Sequence, residues 1–79
     1  MRFRKGTIVA VTFLDHCKNG STPISFTVYG RVGAVGRASV CIDTWAYTDE
    51  SVPYDEANVE RYTILRKVIT GVRVLEDGR

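Results

Sequence analysis

The chain has 79 residues, of which 44% are apolar and 25% charged, with eleven Lys and Arg against nine Asp and Glu for a formal charge of +2. These values fit a single small folded domain spanning residues 1–79; they exclude global disorder and a basic excess that would by itself announce nucleic acid. A domain of this size buries only about 60% of the surface its unfolded chain exposes, so its core is thin.

The lead-in Met1-Arg2-Phe3-Arg4-Lys5 is basic and expected to fray over residues 1–5. No apolar run of signal-peptide length follows it, and no stretch approaches the length of a membrane span. The expected location is therefore the cytoplasm, with Cys17 and Cys41 reduced and no membrane partner.

After Gly6, Thr7 to Leu14 is dense in β-branched residues and predicts a strand with Val9, Val11 and Phe13 facing the core and Ala10 and Thr12 outside. Asn19-Gly20 and Pro23 mark a loop after it. Phe26 to Tyr47 reads as the central hairpin. Phe26, Val28, Gly30 and Val32 share one face, with Thr27, Tyr29 and Arg31 opposite. In the returning strand Val40 and Ile42 point one way, while Ser39, Cys41 and Asp43 point the other. Gly33 and Gly36 are expected to supply positive φ for the reversal. Thr48 to Asn58, with Asp49, Glu50, Asp55 and Glu56, predicts an exposed acidic loop. Tyr62-Thr63-Ile64 predicts a fourth strand, Leu65 to Val68 one tight helical turn, and Ile69 to Leu75 a fifth strand. A helix over residues 56–70 competes with this reading, since Leu65, Val68, Ile69 and Val72 also fit helical spacing. The expected core is Val9, Val11, Phe13, Phe26, Val28, Val32, Val40, Ile42, Ile64, Val72 and Val74. The expected fold is mainly β, a small five-stranded antiparallel SH3-like or Sm-like barrel with one short helical turn before the last strand.

Lys5-Gly6-Thr7-Ile8-Val9, Phe13-Leu14-Asp15-His16, Tyr29-Gly30-Arg31-Val32-Gly33 and Ile64-Leu65-Arg66-Lys67-Val68-Ile69 occur in this order before a last strand. In that arrangement the chain resembles short uncharacterised proteins of bacteriophages and prophages over residues 5–75. It departs from them at Leu65-Arg66, where a proline is common, and in its long loop around Thr48 to Asn58. The resemblance implies a small-barrel fold and a phage-type origin, hence the host-cell cytoplasm, and it implies no activity.

Reactive side chains cluster only at Asp15-His16-Cys17. Neighbours in an extended strand project to opposite faces, so a Cys–His pair would need a turn there; Asp15 as a turn cap is the simpler role. No catalytic residue is assigned and the chain is not expected to be an enzyme. Zinc on His16, Cys17, Cys41 and Asp15 lacks the short paired ligand spacing of structural sites, so neither a metal nor another cofactor is expected. Gly30-Xaa2-Gly33 and Gly33-Xaa2-Gly36 lack the following helix of a phosphate loop.

What remains is an aromatic and basic surface, Tyr29, Arg31, Trp45 and Tyr47, on the outer face of the hairpin. The same chemistry serves protein interfaces and single-stranded nucleic acid. The expectation is a protein-binding or self-associating module, with the chain itself (a homo-oligomer) or another protein as partner. RNA or single-stranded nucleic acid is the alternative.

Overall fold

The computed structural model describes residues 2–15, 20–45 and 60–77. Five strands carry the chain: β1 Ile8–Asp15, β2 Ile24–Val35, β3 Ser39–Trp45, β4 Glu60–Leu65 and β5 Ile69–Glu76. A 3-10 turn, Arg66–Val68, separates the last two. The strands form one antiparallel sheet in the order β4-β3-β2-β1-β5, so the last strand returns to lie beside the first. The competing helix is not formed over residues 60–70. Thr63, Thr70 and Gly71 are poor helix formers, and the β-branched run gains more from the ladder.

Alternation along β1 and β2 sets the core. Val9, Val11, Val32, Val40, Ile42 and Ile64 are buried, with Phe13, Val28, Val68, Ile69 and Val72 packed against them. Four expectations are corrected. Phe3, expected in a frayed lead-in, is 8% exposed and joins the core, while Phe26 and Val74 are 46% and 56% exposed. Ala10, expected outside, is buried although it stands on the outer face. Its register partners on either side are Tyr29 and Arg73, long side chains flanking the smallest one in the row.

The hairpin reverses later than the glycine pattern suggests. Strand β2 continues through Gly33 to Val35, and the chain turns at Arg37 and Ala38, with the Gly36 N–H donating to the Ser39 carbonyl at 2.8 Å. Gly33 is instead the extra residue of a bulge between Val32↔Ile42 and Ala34↔Cys41. Among the described glycines, Gly6 is the one with positive φ, at 93°. Its N–H donates to the Val32 carbonyl at 2.8 Å, which fixes the lead-in against β2.

The 3-10 turn is tied to that reversal by one residue. The Arg66 backbone N–H donates to the Ala38 carbonyl at 2.8 Å, and its Nε donates to the Gly36 carbonyl at 3.0 Å. The guanidinium also lies 5.3 Å from the centre of the Phe3 ring. A proline at position 66 would lack the N–H that makes the first of these bonds.

Candidate functional site at the open end of the core

One face of each of four strands runs from sealed to open. On β2, Val32 is 1% exposed and Phe26 46%; on β4, Ile64 is 4% exposed and Tyr62 47%. On β1 the same face passes from Val9 and Val11 to half-buried Phe13, and on β3 from Val40 and Ile42 to half-buried Thr44. Period-two alternation keeps these side chains on one face, and the burial gradient then makes a mouth where the core ends. Phe13 and Phe26 are register partners there, stacked with ring centroids 6.0 Å apart and planes 28° apart.

Two clefts open at this mouth and share Phe13, Phe26 and Tyr62. One, of about 440 Å³, adds Leu14, Leu65 and Val68 and is edged by Asp15. The other, of about 350 Å³, adds Val28, Tyr29, Thr44 and Glu60. Among the described residues lining them, Asp15 and Glu60 carry charge and no Lys, Arg or His does.

A second bulge positions Glu60. Asp43 pairs with Arg61 and Trp45 with Glu60, which leaves Thr44 as the extra residue on β3. Glu60 Oε1 accepts the Thr44 hydroxyl at 2.7 Å and the Tyr62 hydroxyl at 3.1 Å. These hydroxyls, with a lesser contribution from the Trp45 side chain, hold the Glu60 carboxyl below the usual range against the opposing effect of burial. The bond to Glu60, and then its negative charge, push the Tyr62 phenol up.

Of the expected interface residues, Tyr29 and Trp45 are 58% and 55% exposed. Tyr29 walls the smaller cleft from the outer face of β2. Arg31 stands opposite Asp43 on β2, exposed, and does not line either cleft. Tyr47 lies outside the described residues, as do the acidic stretch Thr48 to Asn58, His16 and Cys17. Glu60 and Thr44 are absent from the sequence expectation because a bulge, which has no plain sequence signature, brings them together.

The outer face carries a further depression of about 390 Å³ lined by Ala10, Thr12, Thr27, Tyr29, Gly71 and Arg73 among others. Thr12 and Thr27 bond across it, Oγ1 to Oγ1, at 2.9 Å. Cys41 is a half-buried free thiol 3.4 Å from the Thr63 hydroxyl. Among the described residues no three of His, Cys, Asp and Glu converge on one point, and no helix is long and apolar enough to cross a membrane. Comparison of the chain with protein-family models, with curated proteins and with solved structures finds no match.

Proposed function

We propose that this chain is a non-enzymatic protein-binding module on a small SH3-like barrel of phage type, and that the mouth of its core receives an extended peptide segment of a partner protein. The barrel reading is supported by the return of β5 beside β1, by the 3-10 turn before it, and by the ties of Arg66 to the β2–β3 reversal. The phage origin rests on the sequence resemblance.

The observation that carries the binding reading is the exposed aromatic end of an otherwise sealed face, Phe26 and Tyr62 above Val32 and Ile64. A folded chain leaves such apolar surface contiguous and open where something else covers it. The occupant is a peptide rather than a flat protein surface, because two neighbouring clefts share the walls Phe13, Phe26 and Tyr62, as a groove for successive side chains would. An extended segment fills such a groove with alternate side chains.

The test is chemical-shift mapping of the isotope-labelled chain with a peptide selected by display on it. Shifts centred on Phe13, Phe26 and Tyr62 support the reading, and shifts centred on Ala10, Thr12 and Arg73 overturn it. Sedimentation in the same buffer separates the self-associating outcome, in which a second copy occupies the mouth and Phe26→Ser returns the chain to monomer.

A second reading has one observation in its favour. Tyr29 and Arg73 flank Ala10 on the outer face, a ring and a guanidinium spaced by one small residue, which suits a base and its phosphate. Fluorescence anisotropy with single-stranded DNA and RNA decides it. Submicromolar, salt-sensitive binding lost in both Tyr29→Ala and Arg73→Ala favours nucleic acid over the peptide reading.

A further inference from the structure

The mouth differs in charge from the chain that carries it. Eleven Lys and Arg outnumber nine Asp and Glu overall, yet the described lining of both clefts holds Asp15 and Glu60 and no cation. Glu60 stands beside the exposed Tyr62 ring, joined to it at 3.1 Å through the phenol, with Phe26 lining the same cleft. The Thr44 and Tyr62 hydroxyls both donate to one oxygen, Oε1. An ionised carboxylate offers about four acceptor sites, so the two hydroxyls, even with the lesser contribution of the Trp45 side chain, leave capacity for a further donor.

We infer that the mouth recognises a Lys or Arg side chain of the bound peptide, its aliphatic stem lying on Phe26 and Tyr62 and its cationic end reaching Glu60. This rests on the peptide-binding reading above and names the partner's chemistry. The long stem of a basic residue buries well on apolar surface while its charge stays at the rim. Aromatic faces attract a cation, and a carboxylate beside them adds a charge-assisted hydrogen bond. The hydroxyls of Thr44 and Tyr62 fix Glu60 in place before the ligand arrives, which limits the ordering cost of binding. They also hold its carboxyl below the usual range, so its charge persists to lower pH than an ordinary glutamate's.

The experiment uses peptides selected by display on the whole chain, each paired with a twin whose basic residue is replaced by norleucine, which keeps the stem and removes the charge. Affinities are measured for the wild type and for Glu60→Gln, which preserves a side-chain oxygen for Thr44 and Tyr62. The expected result is a loss of about tenfold for the norleucine twin on the wild type, and a gap closing to about twofold or less on Glu60→Gln. Twins of equal affinity on the wild type overturn the inference. So does a gap that persists unchanged on Glu60→Gln. If Phe26→Ser abolishes binding of both twins while the twins remain equal, the mouth binds peptides without reading charge: the inference falls and the function stands. If no selected peptide responds to Phe26→Ser, the function falls and takes the inference with it.

Discussion

Arg61 holds Asp43 by a two-pronged contact, Nε to Oδ1 at 2.6 Å and Nη2 to Oδ2 at 3.0 Å, across the β3–β4 pair. The carboxylate occupies the space that a side chain at Gly33 would need, so the ion pair on β3–β4 requires the bulged residue of β2 to be a glycine. Gly30 is hemmed in differently, by the backbone carbonyl of Asp43 and by the Ile42 side chain.

That difference sets the first prediction. Gly33→Ala displaces flexible side chains and is expected to break the Asp43–Arg61 ion pair at a cost of about 1 kcal/mol. Gly30→Ala must move a strand backbone and is expected to cost about 3 kcal/mol. Urea denaturation of the two variants checks the order; Gly33→Ala proving the more harmful contradicts it.

Arg66 is expected to be the most important surface charge for stability. It donates from Nε to the Gly36 carbonyl at 3.0 Å and lies over Phe3. Arg66→Ala should cost about 2 kcal/mol, from a hydrogen bond to a charged donor together with the ring contact. Arg66→Lys, which lacks the guanidinium Nε, should recover less than half of that loss. Equal stability of Arg66→Ala and wild type would contradict the tie between turn and reversal.

Thr7 offers a stabilising change. The residue is 4% exposed and its hydroxyl has no hydrogen-bond partner among the described residues. Thr7→Val keeps the shape and removes the unpaired polar atom, so a gain of about 1 kcal/mol is expected. Thermal unfolding measures it, and a lower midpoint would contradict the burial of an unpaired hydroxyl.

The alternation of side chains is legible in the sequence, and the place where each face opens is not. Val9, Val11, Val32, Val40 and Ile42 follow from period two alone and are all buried. Phe26 obeys the same period as Val32 yet is half exposed, because parity gives a residue's face and is silent on how far the neighbouring strands extend over it. Phe3 escapes the pattern since a lone aromatic ahead of the first strand belongs to no periodic run. Gly33 reads as a turn in the sequence because glycine marks turns and bulges alike. Tyr29 is identified as an exposed ring by parity. Trp45, exposed as expected, lies just past the extra residue Thr44, where parity no longer assigns its face, and the Glu60–Thr44 contact depends on that same bulge in β3.

The Glu60–Tyr62 contact predicts a linked pH response. The Glu60 carboxyl is held below its ordinary range first by Thr44 and then by Tyr62. The stability it contributes is therefore complete above the ordinary Glu range and is lost as pH falls through the lowered value. The Tyr62 phenol is raised, so its contribution is complete below the ordinary Tyr range and is lost as pH rises through the raised value. Carbon NMR of ring-labelled tyrosine should show Tyr62 titrating above the ordinary tyrosine range in the wild type and nearer to it in Glu60→Gln. An unchanged titration in the variant contradicts the contact.

If the open end of the core is the binding surface, affinity must depend on the rings at the mouth and not on the outer face of the hairpin. Display-selected peptides are titrated against the wild type, Phe26→Ser, Tyr62→Ser and Arg31→Ala, with circular dichroism confirming that each variant is folded. Losses of about 30-fold or more are predicted in Phe26→Ser and Tyr62→Ser, the size of an interface anchor, and a change of about twofold or less in Arg31→Ala. Unchanged affinity in both mouth variants, or a large loss in Arg31→Ala alone, would contradict this and return the site to the outer face of the hairpin.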